Sequence, residues 1–315
     1  MYNEEIKQQF IVSSDNTFSI NRARKWIFDA VGKYEATIEK DGAEMTPQEA
    51  IETVENSGLE EMGSVRQVLT TMRDYTNWCE KNSVFSSIPH GFEQINVDDI
   101  DFSRTFREVL YKDSTALIAD LHTVGDFDSG AADVLVFIFS WLGLFRDEMV
   151  EIRDDDVDLE KRVIYGVDGQ ILSSGFSDEI VDVLERYRKC QIATRQNGPR
   201  IIQVRKDNSV SSFLKKMVSE NSKKFGEEYT VRQLEMSASR LAKRFAESGG
   251  NPRRLTIANT WRSGSLYRLW QMEQETGLDM GNLKRREYIE KAFRKKKNYT
   301  NTARMYRWYK KVFWE

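Results

Sequence analysis

Apolar positions recur with helical periods through most of the chain. Residues 65–82, VRQVLTTMRDYTNWCEKN, set Val68, Met72, Tyr75 and Cys79 at intervals of four, three and four, one face of a helix. Arg66 and Arg73 fall off that stripe. A second helix is predicted over 17–40, where NTFSINRARKW carries Arg22, Arg24 and Lys25 near its start. These segments predict a small helical domain over 1–88. NSVFSSIPHGF, residues 82–92, mixes Ser, Pro and Gly after the last periodic segment and predicts a linker, taken as 89–104. A second domain over 105–280 follows, with helical patterns at 103–122, 129–150, 176–194 and 208–225. Within it VLVFIFSWLGLF, at 134–145, is apolar all round, as a buried core helix requires. Twelve residues are too few to span a bilayer. KRVIYGVDGQILSS, at 161–174, flanks an Asp-Gly pair with β-branched and aromatic residues and predicts a hairpin. The clearest helix is 230–250: Leu234, Ala238, Leu241 and Phe245 form its stripe and Gly249-Gly250 its stop. The expected fold class is mainly α with a small β-hairpin or sheet, in two lobes.

Composition changes this picture in one respect. The net charge of −3 over 315 residues averages a strong asymmetry: residues 1–100 net −9, 101–200 net −8, and 201–315 net +14. A basic last third in an otherwise acidic chain points to a partner of dense negative charge, nucleic acid foremost, although such blocks also serve simply as solvated surface. Residues 281–315 hold 12 basic and 3 acidic residues interleaved with eight aromatics, a basic aromatic C-terminal tail. Those aromatics suit stacking on nucleic acid and packing against a protein surface equally. Two cysteines far apart and two histidines leave no local metal-ligand spacing, so neither metal nor cofactor is expected. The polar start MYNEEIKQQF is no signal peptide, which predicts a cytoplasmic protein with no membrane partner.

Three stretches carry a family resemblance. VFIFSWLGLFRDEMVEIRDDDVDLEKRVIYG, TVRQLEMSASRLAKRFAESGGNPRRLTIAN and TWRSGSLYRLW resemble, in this order, the first-arginine segment, the His-x-x-Arg helix and the nucleophile turn of the tyrosine recombinases, or phage integrases. The likeness spans residues 15–276. It implies a two-lobed fold that closes on duplex DNA, with arginines gripping the scissile phosphate and a tyrosine attacking it. The residues depart from that implication. Phe145 stands at the first arginine, with Arg146 one residue late and so turned by about 100° on a helix. The hairpin turn VDGQ has no lysine, and Lys161 precedes the first strand. Arg232 and Glu235 occupy the His-x-x-Arg positions, and a carboxylate there repels phosphate. Trp261 is compatible, since the family allows His or Trp. Trp270 replaces the nucleophile, and an indole has no hydroxyl to ionise. It is expected to pack in the core with Leu266 and Leu269. Together Phe145, Arg232, Glu235, Trp261 and Trp270 read as degenerate catalytic positions.

Binding without cleavage is the resulting expectation. Arg22, Arg24, Lys25, Arg66 and Arg73 in the first domain, and Arg232, Arg240, Lys243, Arg244, Arg253, Arg254, Arg262 and Arg268 in the second, are the candidate DNA contacts. Resemblance to a phage repressor that carries this fold without its chemistry implies a sequence-specific, lysogeny-maintaining regulator of operator DNA. It leaves open self-association through the tail and a phage regulatory protein as partner. Two alternatives stand beside it: a divergent recombinase using Tyr267 or a tail tyrosine, and an accessory protein docking on a true integrase or another regulator.

Overall fold

The computed structural model describes residues 1–13, 18–59, 62–124, 132–197, 200–219, 226–294 and 298–315, in two compact units, Met1–Phe106 and Arg107–Glu315. Both are mainly helical. Two small antiparallel sheets lie in the second.

The first unit packs α1 (Glu4–Val12), α2 (Phe18–Ile38), α3 (Pro47–Asn56) and α4 (Met62–Lys81). The stripe Val68, Met72, Tyr75 and Cys79 is buried as its spacing requires. Phe10 of α1 and Phe28 of α2 meet Tyr75 edge-on at 5.4 and 5.1 Å, the geometry that ring quadrupoles favour. α3 begins on a capping box: Thr46 Oγ1 accepts from Glu49 N, and Glu49 Oε2 accepts from Thr46 N at 2.7 Å. The stretch expected to be a linker is packed instead. Arg73 Nε donates to Phe92 O at 2.9 Å and Nη2 to Ile95 O at 2.6 Å, while Phe92, Ile95, Phe102 and Phe106 are all buried. A Cβ on Gly91 would stand 2.3 Å from Met45 O, so only glycine admits this approach. Ser, Pro and Gly there mark turns that fold back on α4, and the first unit runs past residue 88 to Phe106.

α5 (Ser103–Val109) straddles the division, and α6 (Ser114–Val124) leads into α7 (Ala132–Trp141), the apolar helix at the centre of the second unit. The helix expected over 129–150 is two, because the chain breaks at Gly143 (φ 90°) before α8 (Arg146–Glu151); residues 129–131 lie outside those described. β1 (Val157–Asp158), β2 (Val163–Tyr165) and β3 (Ile171–Ser174) form the predicted hairpin with one added strand. Its loop is five residues rather than a two-residue turn, closed by Gly166 N donating to Gln170 O at 2.8 Å.

α9 (Asp178–Lys189) is followed by a second sheet of β4 (Ile192–Asn197), β5 (Arg200–Lys206) and β6 (Met217–Val218). The helix expected over 208–225 is absent from its described part. Asp207 instead holds a loop, accepting from Ser209 N and Gly226 N, while Phe213 and Leu214 enter the core; residues 220–225 are not described. α10 (Val231–Glu247) buries the predicted stripe and stops at Gly249-Gly250. α11 (Ile257–Thr276) lies on α7 so closely that a Cβ on Gly264 would sit 2.0 Å from Trp141 O. Beyond residue 280 the chain is part of this unit and not a free tail. α12 (Arg286–Phe293) and α13 (Tyr299–Phe313) bury Phe293, Tyr306 and Tyr309, and the Tyr309 hydroxyl donates to Lys112 O at 2.5 Å. Lys295, Lys296 and Lys297 lie outside the described residues. No helix among the described residues is long and apolar enough to cross a membrane.

Candidate nucleic-acid interface

The turn between α7 and α8 brings Phe145 to Trp261 and Arg146 to Glu235. Phe145 precedes α8, its backbone N–H donating to Glu148 Oε2 at 2.7 Å, and its ring lies 6.0 Å from that of Trp261. Trp261 donates from Nε1 to Gly143 O at 3.3 Å and meets Phe293 edge-on at 5.4 Å. Arg146, first in α8, pairs with Glu235 on α10, both half-exposed. Sequence reading missed a second guanidinium. Arg294 reaches Glu148 through both nitrogens, at 2.6 and 2.8 Å, donates to Gly143 O, and stacks 5.3 Å above the Phe145 ring. Its 146-residue separation from Glu148 leaves no local spacing that could reveal the pair. This bidentate geometry is the strongest form of carboxylate pairing.

Trp270 is only partly buried. Its indole stacks on that of Trp314 at 3.8 Å and on Tyr267 at 5.6 Å, so the expected packing inside the core gives way to a stack with the end of the last helix. Tyr267 packs against Trp141 at 5.5 Å. Burial, then the negative charges of Asp113 and Glu179, raise its phenol above the ordinary value. That is the opposite of activation for attack. Lys161 pairs with Asp158 at 2.9 Å in the connection between β1 and β2.

The thirteen candidate contacts divide by environment. Arg22, Lys25, Arg66, Arg232, Lys243, Arg244 and Arg253 are exposed. Arg22 and Lys25 share one face of α2 with Trp26, which is 45% exposed. Arg240 is half-exposed, near Ser237 Oγ at 3.0 Å and Asp133 at 3.7 Å. Arg262 is partly buried and donates to Asn259 Oδ1 at 2.7 Å. Arg24 lies 4.4 Å over the Phe10 ring.

Three candidates serve the fold. Arg73 pins the 92–95 turn, as described above. Arg254 sits 3.4 Å from Asp120 and 4.6 Å over the Tyr111 ring. Arg268 turns inward, donating to Trp141 O at 2.7 Å and to Ala292 O at 3.0 Å; burial and then the charge of Arg294 push its guanidinium below the usual range. Helical periodicity cannot separate these from surface arginines, because a long side chain can curl back onto backbone carbonyls. Cys79 and Cys190 form no disulfide.

Residues 1–81 match the family described as MrpR, N-terminal core-binding domain, about a quarter of the chain. No curated protein matches significantly. Among solved structures, the XerA recombinase is similar with a TM-score of 0.38 at 11% identity, covering 96% of this chain and 92% of that chain. The Tn1549 transposon integrase, in complex with circular intermediate DNA, is similar with a TM-score of 0.38 at 16% identity, covering 96% and 94%.

Proposed function

We propose that this chain is a sequence-specific duplex-DNA-binding regulator, a phage or prophage transcriptional repressor, built on a recombinase-like scaffold that has given up strand exchange. One observation carries the reading. Where phosphoryl transfer needs guanidiniums aimed at a phosphate beside a nucleophile, Arg146 is paired with Glu235, Arg294 with Glu148, and Trp270 is stacked on Trp314. Arg232, Lys243 and Arg244 meanwhile remain on the exposed face of α10, within the third of the chain that nets +14. The match of residues 1–81 to the MrpR family, and the resemblance to a phage repressor, favour a regulator over a recombinase.

Selection of bound fragments from host and prophage DNA, followed by salt titration, tests this. An enriched sequence is expected, with affinity falling by orders of magnitude over a few-fold rise in salt as counterions are released. Reversing charge at Arg232, Lys243 and Arg244 together is expected to weaken binding at least tenfold. Retention that ignores both salt and this triple variant rejects the proposal.

A further inference from the structure

Arg146 and Glu235 stand together at a groove of about 380 Å³ whose lining includes Ala238, Ser239, Ala242 and Ala258. Small side chains there leave room for a sugar–phosphate backbone to come close. Arg146 opens α8 and Glu235 stands on α10, so the groove lining carries one guanidinium and one carboxylate. Both partners of the pair are half-exposed, at 50% and 44%. An ion pair so exposed holds together weakly against solvent and competing ions.

We infer that Glu235 is a built-in counter-anion: it occupies Arg146 in the free protein, yields it to a backbone phosphate only where the rest of the surface fits, and thereby holds down affinity for non-operator duplex. The inference rests on the DNA-binding reading above and assigns Glu235 a role in specificity. A phosphate entering the groove must displace the carboxylate from Arg146 and then lie beside its negative charge. On operator DNA, contacts elsewhere offset that cost. On arbitrary sequence nothing does, so discrimination arises by disfavouring the wrong partner. The other paired guanidinium of this region cannot act in the same way, because Arg294 is largely buried, holds Glu148 through both nitrogens and also binds Gly143 O. Of the two pairs at this turn, the exposed one is exchangeable.

The test uses the full-length protein and a duplex of random sequence about 30 base pairs long, with affinity measured across a salt series. Glu235→Gln is expected to tighten binding about tenfold and to steepen the log–log salt dependence by about 0.9, the increment for one more neutralised phosphate. Arg146→Gln in that background is expected to abolish the gain. Glu247→Gln, which removes an exposed carboxylate elsewhere on α10, is expected to give less than a third of it. Unchanged or weaker binding by Glu235→Gln, an equal gain from Glu247→Gln, or a gain that survives loss of Arg146 each overturns the inference while the DNA-binding reading stands. A wild-type chain that binds no duplex overturns both.

Discussion

Lys7 shows what a single residue can hide from a sequence reading. In EEIKQQF it has the look of a surface lysine, yet its side chain is wholly buried. Its amine meets Glu35 Oε2 at 2.5 Å, Tyr2 O at 2.8 Å and Asp41 Oδ2 at 3.7 Å. Two carboxylates facing one buried cation leave an excess negative charge, and burial accordingly raises the Glu35 carboxyl above its ordinary value. Removing the cation should therefore cost far more than neutralising Glu35: about 3–5 kcal/mol for Lys7→Ala, the usual scale for stranding a buried charge, and clearly less for Glu35→Gln. The pH dependence has a definite sign. A carboxyl whose folded pKa lies above its unfolded one binds more protons when folded, so its stabilisation is complete below the ordinary value and fades as pH rises through the folded one. Amide hydrogen exchange of α1 and α2 across that range should show protection falling with pH in the wild type and a flatter profile in Glu35→Gln. Parallel profiles would refute the charge imbalance.

At the scale of elements, what could be read was what repeats. The stripes of α4 and α10 were legible because each is a local pattern with one geometric solution, whereas the β-branched runs around Asp168-Gly169 marked the hairpin but not its five-residue loop. The sheet of β4, β5 and β6 was not legible, although Asn197-Gly198 between Ile192 and Ile201 is a strong hairpin signal. Residues 208–219 looked helical because Val210, Phe213, Leu214 and Val218 have helical spacing, yet the side chain of Asp207 fixes a loop. Long-range partners also decided the last helices. Aromatics that suited nucleic acid and protein equally are turned inward at Tyr306 and Tyr309, and Trp314 closes the segment over Trp270. Self-association through the inward face of this segment would have to replace those contacts. Trp270→Ala is therefore expected to cost about 2–3 kcal/mol, below the full cost of an aromatic lost from a core, with a coupling to Trp314→Ala near 1 kcal/mol as stacked rings give. Urea unfolding of the single and double variants measures both. Strict additivity would mean that the stack contributes nothing.

For the molecule as a whole, regulator and recombinase differ in one observable, a covalent bond to DNA. Strand exchange requires a nucleophile, fixed positive charge around the phosphate and a proton donor for the leaving oxygen, all acting on the same atom. The proposed reading has these removed at separate points: Trp270 for the nucleophile, Phe145 and Glu235 at the arginine positions, and a β2–β3 loop without lysine. The divergent-recombinase alternative would enlist a tail tyrosine or Tyr267, whose phenol is raised above its ordinary value by burial and then by the charges of Asp113 and Glu179. A nicked suicide duplex carrying the selected sequence, incubated with the wild-type chain and run on a denaturing gel, should show no protein–DNA adduct. Trp270→Tyr alone should not create one. Catalytic groups that act as a unit are strongly non-additive, so restoring a hydroxyl without charge around the phosphate leaves the barrier almost where it was. An adduct formed by the wild type and lost in Tyr267→Phe would install the divergent recombinase in place of the repressor.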